Sequence, residues 1–381
     1  MKKFEVIPDI YFGENALARL KDIGFSRVMI IADPFVVQSG LIRHITRPLE
    51  EGGIHYEIYT DVVADPTTEK VISGIQAAVK IEPECLIAVG GGSAMDLAKS
   101  IRKIAQQLDA SFRPRLIAIP TTSGTGSEVT SFSVITDSES HTKIPLASRD
   151  MTPDEAILDE VLVKSVPASV TADTGMDVLT HAIEAYVSTN NNEFSGALAE
   201  KAVEICGQFL YRSYSDNNDS HARRKMHIAA CLAGLAFNSA SLGLNHGMAH
   251  QLGAEFHIPH GRANAILLPE IIEYNSNVSK VSRSRENYAP CVRRYCNIAR
   301  NLGLNSINEV MTIHSLSNYV RFIASEMCIP LHLKEILDLS WEEYCEKLPA
   351  MAEAALKDTC TNTNPRIPTK EEVIELYKKI W

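Results

Sequence analysis

The sequence predicts two domains, an α/β domain with a parallel sheet at residues 1–166 and an all-helical domain at residues 167–381. Three observations carry this. Apolar, β-branched runs alternate with helical patterns only in the first part, and strands separated by helices pair in parallel. From "PASVTADTGMDVLTHAIEAYVS" onward the period is helical and no convincing strand occurs. The 381 residues, 45% of them hydrophobic, suffice for two cores.

In chain order, "RVMIIAD" (27–33), "HYEIYTDV" (55–62), "CLIAVGGGS" (85–93) and "RLIAIPTT" (115–122) read as strands. "KVISGIQAAVKI" and "AMDLAKSIRKIAQQL" read as the helices between them. In the second domain "SDNNDSHARR" (215–224) reads as a polar loop, and in the closing "TKEEVIELYKKIW" Thr369 and Glu372 are spaced for a capping box. The net charge of −10 and the pI of about 5.7 argue against a nucleic-acid or membrane-surface partner. No apolar run reaches the ~20 residues of a membrane span. "MKKFEVIPDIYFGENAL" has two lysines without the apolar core of a signal peptide, so it is expected to be mature protein. The eight cysteines are scattered, without a CxxC, and read as buried free thiols of a cytoplasmic protein.

"CLIAVGGGSAMDLAKSI" joins an apolar strand to a helix through Gly90, Gly91 and Gly92. Such a turn brings backbone close to a ligand, Ser93 is placed as the helix N-cap, and free amides at the helix start suit a pyrophosphate. The GxGxxG pattern is not met, because Met95 stands where its third glycine would fall; a plain strand-to-helix connection is the alternative. "IPTTSGTGSEVTS" (119–131) follows another strand, with Thr121, Thr122, Ser123 and Thr125 available to line a nucleotide cleft. Asp33 follows the first strong strand, where a carboxylate can accept from a ribose diol and repel a 2′-phosphate. It precedes the glycine turn, the reverse of the usual dinucleotide order, so dinucleotide binding here needs a different strand order.

The second domain concentrates imidazole. "NHGMAHQLGAEFHIPHG" holds His246, His250, His257 and His260. Upstream, at 100° per residue, Asp177, His181 and Glu184 share a helical stripe about 60° wide, with Val178, Leu179, Ala182, Ile183 and Tyr186 opposite. His246 and His250 share a face at i and i+4. His260 lies beyond Pro259, where the chain must turn, and can fold back towards His246. HExxH is excluded, since Gly247 stands at its glutamate position. One Asp with three or four His suits a borderline ion, Fe²⁺ or Zn²⁺, rather than Ca²⁺ or Mg²⁺, and an open position would make the site catalytic. His44, His55, His141, His221, His227, His257, His314 and His332 read as ordinary surface or core histidines. Glu184 is either a support for the ligands or a solvated carboxylate.

Taken together, "GGGSAMDLAK", "IPTTSGTGSEVT", "GMDVLTHAIEAY", "GLNHGMAHQLG", "PHGRANAILLP" and "CTNTNPR" resemble the iron-containing (group III) alcohol dehydrogenases over almost the whole chain. Two longer segments are similar in particular to the propanol and ethanol enzymes of propanediol- and ethanol-utilisation operons. The resemblance implies the dehydroquinate synthase-like fold, a Rossmann-like nucleotide-binding domain and an all-α metal-binding domain with the active site in the cleft. It implies Asp177, His181, His246 and His260 as ligands of one divalent metal, Fe²⁺ first and Zn²⁺ as the alternative. It puts His250 near the substrate; one helical turn from His246, His250 is expected to act as the catalytic proton relay. Asp33, Gly91, Gly92, Ser93, Asp96, Thr121, Thr122, Thr125 and Lys143 match cofactor-binding positions, with Asp33 favouring NAD over NADP. Asp65 departs from the family's Asn, and a second carboxylate there should further disfavour NADP. The implied activity is hydride transfer between NAD(H) and a short-chain primary alcohol or aldehyde. A glycerol- or diol-type dehydrogenase of the same fold and a non-catalytic nucleotide or metal sensor are the alternatives. A homodimer is implied, as is a cytoplasmic location, with a bacterial microcompartment and its enzymes as the alternative setting.

Overall fold

A computed structural model describes residues 3–139, 142–277, 291–304 and 306–381. The chain divides into two units, Glu5–Ser165 and Val166–Trp381, with Phe4 belonging to the second. The first contains β1 (Asp9–Phe12), β2 (Arg27–Ala32), α1 (Pro34–Gln38), α2 (Arg43–Glu51), β3 (His55–Tyr59), α3 (Thr68–Ile81), β4 (Cys85–Gly90), α4 (Gly92–Leu108), β5 (Arg115–Pro120), β6 (Phe132–Thr136), β7 (Lys143–Ala147) and β8 (Glu155–Leu158). β2, β4 and β5 are buried at nearly every residue, as parallel strands covered on both faces must be. The six-stranded sheet runs β1-β8-β5-β4-β2-β3 with parallel pairing throughout, and β6 and β7 form a separate antiparallel ribbon. The four strands expected from sequence are the contiguous block β5-β4-β2-β3, which runs from inside the sheet to its β3 edge. β1, β8, β6 and β7 were not legible: the first two have only four residues each, and β7 carries Pro145.

This order explains the inverted motif. From β2 the chain adds β3 on one side and then places β4 on the other, so a topological switch point lies between the carboxyl ends of β2 and β4. Asp33 closes β2 and the glycine turn closes β4. They are neighbours in space, with Asp33 N–H donating to the Val89 carbonyl at 3.0 Å.

The second unit contains α5 (Ala168–Val187), α6 (Glu193–Ser215), α7 (Ser220–Ala240), α8 (Leu244–Phe256), α9 (His260–Ser276), α10 (Cys291–Asn301), α11 (Glu309–Glu326), α12 (Trp341–Lys357) and α13 (Lys370–Lys379), and among the described residues no strand. Two apolar cores share α9. Ala265, Leu268 and Ile272 face a core of α5–α7, α10 and α11, while Ala263, Ile266, Leu267 and Ile271 face one of α8, α12 and α13. The expected two-faced pattern of α5 is corrected: from Gly175 to Val187 it is buried all round, because helices cover its Asp177 side as well. The capping box at Thr369 and Glu372 forms, with bonds of 3.1 and 3.2 Å. The polar loop at 215–224 shrinks to Asp216–Asp219, because the Asp219 carboxylate caps α7 at Ala222 N–H (2.9 Å) and draws His221 to Arg224 into the helix. Five cysteines are buried; Cys345 and Cys360 are half-buried and Cys328 is exposed. Among the described residues no single helix is long and apolar enough to cross a membrane.

Ser241, between α7 and α8, adopts φ 60°, ψ −170°, a region essentially reserved for glycine. Ser241→Gly is expected to raise stability by about 1 kcal/mol, read as a higher denaturant midpoint at unchanged slope. A lower midpoint would mean that the serine side chain stabilises this turn by more than its strain costs.

Candidate functional site

Four side chains from three helices converge in the second unit. α5 brings Asp177 and His181, α8 brings His246, and α9 begins at His260. One ligand atom from each lies within 4.8 Å of all the others. Asp177 Oδ1 is 3.6 Å from His246 Nε2 and 3.4 Å from His260 Nε2. Donors about 2.1 Å from a tetrahedral ion stand about 3.4 Å apart, so these spacings fit. The His181 ring is sandwiched between Phe237 and His246, each at 4.6 Å between centroids. Its Nδ1 is buried without a hydrogen-bond partner, which is costly unless the ring is placed for a ligand. Asp177, His181 and His246 are buried, whereas the His260 side chain is 41% exposed and leaves one side open.

Burial alone would raise the Asp177 carboxyl, but His181, His260 and His246 outweigh it and hold it well below its usual range. Burial pushes His181 down to about 3 despite Asp177, keeping that ring neutral with a lone pair to give. His246 is also buried, but the Glu184 and Asp177 carboxylates draw its affinity for protons upward.

A second ring of groups orients the four. Glu184, solvated or supporting from sequence alone, is buried: Oε2 contacts His246 Nδ1, and Oε1 accepts Asn245 N–H at 2.8 Å. A carboxylate on the far nitrogen fixes the tautomer, leaving Nε2 to face inward. Asn264, missed in the sequence, donates through Nδ2 to Asp177 Oδ1 at 2.8 Å and lies 3.1 Å from His260 Nε2 and 3.2 Å from His246 Nε2. Arg262 grips Asp173 with two bonds of 3.2 Å, joining the start of α9 to α5. Asn264 follows His260 by four residues and Asp173 precedes Asp177 by four, so helical spacing was the signal that could have found both.

His250 lies outside the four-residue set. Its ring stacks on His260 at 5.4 Å, and its Nδ1 meets Asp358 Oδ2 at 2.8 Å. Gly247 has its own reason: a Cβ there would lie 2.2 Å from Thr361 Oγ1, so α8 has no room for the HExxH glutamate. His257 is an exposed left-handed cap of α8. His44, His55, His221, His227, His314 and His332 join no such set, and His141 lies outside the described residues.

In the first unit, a Cβ on Gly90 would sit 2.7 Å from Ala94 Cβ, so the turn needs glycine there. The expected cap is corrected. Gly91, not Ser93, is the N-cap of α4, because the helix starts at Gly92; Ser93 lies in the first turn. No side chain caps this end, so its amides remain for a ligand such as a pyrophosphate. Thr121 N–H bonds the Gly90 carbonyl at 2.9 Å, while Thr122 and Thr125 stand 3.6 and 3.1 Å from where side chains on Gly91 and Gly92 would begin. Both Asp96 oxygens have protein partners, Ser127 Oγ at 2.8 Å and Val134 N–H at 2.9 Å. Asp33 caps α1 at Phe35 N–H, 2.8 Å. Asp65, expected to add charge against NADP, is ion-paired with Lys143 at 2.7 Å, which offsets that charge.

Comparison with known proteins agrees with this arrangement. Residues 8–160 match the model of the iron-containing alcohol dehydrogenases, and residues 171–381 match that of the C-terminal part of the Fe-containing alcohol dehydrogenase family. Among curated relatives, the chain is 38% identical over 380 residues to the 1-propanol dehydrogenase PduQ of Citrobacter freundii, covering 100% of both. It is 37% identical over 396 residues to an NADPH-dependent butanol dehydrogenase of Clostridium saccharobutylicum, covering 100% of this chain and 98% of that protein. Among solved structures, a 1,3-propanediol oxidoreductase superposes with a TM-score of 0.91 at 30% identity over 100% of both chains. The chain therefore belongs to the iron-containing alcohol dehydrogenase family and is an oxidoreductase of alcohols and aldehydes.

Proposed function

We propose that the protein reduces short-chain aldehydes with NADH, and oxidises the corresponding primary alcohols in reverse, at a metal held by Asp177, His181, His246 and His260. The observation that carries this reading is the buried set of one carboxylate and three imidazoles with a single exposed side. Bound there, a divalent ion supplies Lewis acidity at the carbonyl oxygen, while the nicotinamide supplies the hydride.

The chain's own residues do the rest. Glu184 holds His246 in the tautomer that presents Nε2, and Asn264 holds the Asp177 carboxylate. The amides at the start of α4 take the pyrophosphate, with Thr121, Thr122 and Thr125 beside them. His250 relays the proton that the product oxygen needs: Asp358 accepts its Nδ1–H, so Nε2 is the nitrogen that exchanges protons, and the ring is open to solvent. His250→Ala is expected to lower turnover about 100-fold with metal content unchanged, measured by steady-state kinetics beside metal analysis. Parallel loss of metal would make His250 a ligand instead.

The decisive assay follows NADH oxidation with propionaldehyde, using anaerobically purified protein as isolated, after chelation, and after return of Fe²⁺ or Zn²⁺. Activity lost on chelation and restored best by Fe²⁺ supports the reading. Inactivity of folded protein with every metal would leave the sensor alternative. A diol substrate is a second reading, favoured by the likeness to 1,3-propanediol oxidoreductase. Comparing 1,3-propanediol with 1-propanol at equal concentration separates the two.

NAD is the cofactor because Asp33 stands at the switch point, where its carboxylate meets a 2′-phosphate with like charge. Family membership alone does not decide this, since the Clostridium relative is NADPH-dependent. Asp33→Ser is expected to raise the ratio of NADPH to NADH efficiency about 10- to 100-fold, read from kcat/KM with each cofactor. An unchanged ratio would remove Asp33 from cofactor selection. We further propose a homodimer formed through β1, an edge strand whose Phe12 is 65% exposed; light scattering of the intact chain tests it. Residence in a microcompartment would show as co-purification with shell proteins.

A further inference from the structure

We propose that His250, Asp358 and Cys360 form a second divalent-metal site, inhibitory and suited to a thiophilic ion such as Zn²⁺, beside the Asp177, His181, His246 and His260 set. One ligand atom from each of the three lies within 4.8 Å of the others. Two elements fix them. His250 projects from α8, while Asp358 caps the short helical turn Thr359–Thr363 that carries Cys360, accepting Cys360 N–H at 2.9 Å. Gly247 lets α8 pack directly onto that turn, so the two elements keep their spacing. The cluster is reachable: the His250 side chain is 41% exposed, Asp358 is 15% exposed and Cys360 is half-buried. Its donors are one nitrogen, one oxygen and one sulfur, a combination that favours zinc over the hard cations. The first set has no sulfur, so the two sites differ in kind.

Charge and protons balance simply. Before binding, Asp358 Oδ2 accepts from His250 Nδ1–H. Burial and the Asp358 charge keep the Cys360 thiol protonated, so the incoming ion must displace that proton. The ion takes the Nδ1 lone pair, a carboxylate oxygen and the thiolate. The imidazole proton moves to Nε2 through solvent, and the thiol proton leaves, one net proton per ion. The site goes from a charge of −1 to neutral. His250 then carries its proton on Nε2 permanently and cannot relay. This inhibitory consequence rests on the relay reading of His250; the binding itself does not.

Cobalt distinguishes the two sites. The first equivalent of Co²⁺, added to intact metal-stripped protein, should give a spectrum without sulfur-to-cobalt charge transfer. Further equivalents should add a near-ultraviolet thiolate-to-cobalt band, absent in Cys360→Ser and retained in Cys328→Ser, which removes the exposed thiol. Equilibrium dialysis should find two zinc ions per wild-type chain and one in Cys360→Ser. In the holoenzyme, excess Zn²⁺ should suppress aldehyde reduction, and Cys360→Ser should keep basal turnover while needing more than about tenfold more zinc for the same loss. No charge-transfer band in the wild type, or an undiminished band in Cys360→Ser, overturns the site. A band with a second bound zinc but unimpaired turnover overturns the inhibitory part, and with it the relay reading of His250.

Discussion

Asp177→Ala is expected to abolish metal binding and lower kcat/KM for aldehyde reduction by about 10⁴-fold or more, the several kcal/mol that Lewis-acid stabilisation of a developing alkoxide supplies. Asp177 is the only carboxylate in the set, 4% exposed, with Oδ1 3.6 Å from His246 Nε2 and 3.4 Å from His260 Nε2. Without it, three imidazoles would hold a dication with no counter-charge at low dielectric. Asn264 would also lose the oxygen it donates to at 2.8 Å. Metal analysis after dialysis should fall from about one ion per chain to background, while the circular dichroism spectrum keeps its helical shape. Glu184→Gln should act more mildly, weakening metal affinity about 10- to 100-fold, because it loosens the orientation of His246 and leaves all four donors in place. Full metal content and turnover in Asp177→Ala would remove the site from the reaction.

Gly261→Ala should be the most damaging single methyl in the second unit. A Cβ at Gly261 would lie 2.0 Å from the Asp173 carbonyl oxygen and 2.5 Å from its carbonyl carbon. Both are backbone atoms of α5, so no side chain can swing away. α9 would have to lift, carrying His260 away from Asp177 and straining the Arg262 to Asp173 pair. We expect a loss of about 3 kcal/mol or more, seen in thermal or urea unfolding, with weaker metal binding in whatever remains folded. Gly253→Ala is the control. Its Cβ would meet only the Ile258 carbonyl oxygen at 3.6 Å, and within α8 alanine should gain about 0.5–1 kcal/mol. Equal stability of the two variants would mean that α9 is free to shift on α5.

The contrast between these glycines marks where sequence reasoning stops. Gly253 lies inside the period of α8 and Gly261 in the first turn of α9, but neither setting tells that one faces a neighbouring backbone and the other does not. The same holds for carboxylates. Asp177 and Glu184 share a stripe on α5, and spacing alone left Glu184 open between support and solvent. Burial decided it, because α8 packs against that side and brings His246 and Asn245 to it. Asp358 is 108 residues from His250 and had no sequence signal at all. Cys360 read as one more scattered thiol until the turn after α12 placed it beside Asp358.

What the sequence by itself determined was periodic or local. Uninterrupted β-branched runs specify the central parallel strands, since only a strand buried on both faces tolerates them. The 3.6-residue period specifies α5 and puts Asp177 and His181 on one side, and Pro259 before His260 with Gly261 after it turns the chain so that His260 can return. Tertiary structure alone decided the rest. It set the strand order that places Asp33 beside the glycine turn, and the N-cap of α4 at Gly91 in place of Ser93. It set the pairing of Lys143 with Asp65 and the meeting of α8 with the 358–361 turn. The physical reason is common to all four. Periodicity encodes which face of an element is apolar, but which element covers that face, and which distant polar groups it buries, depends on the packing of the whole unit.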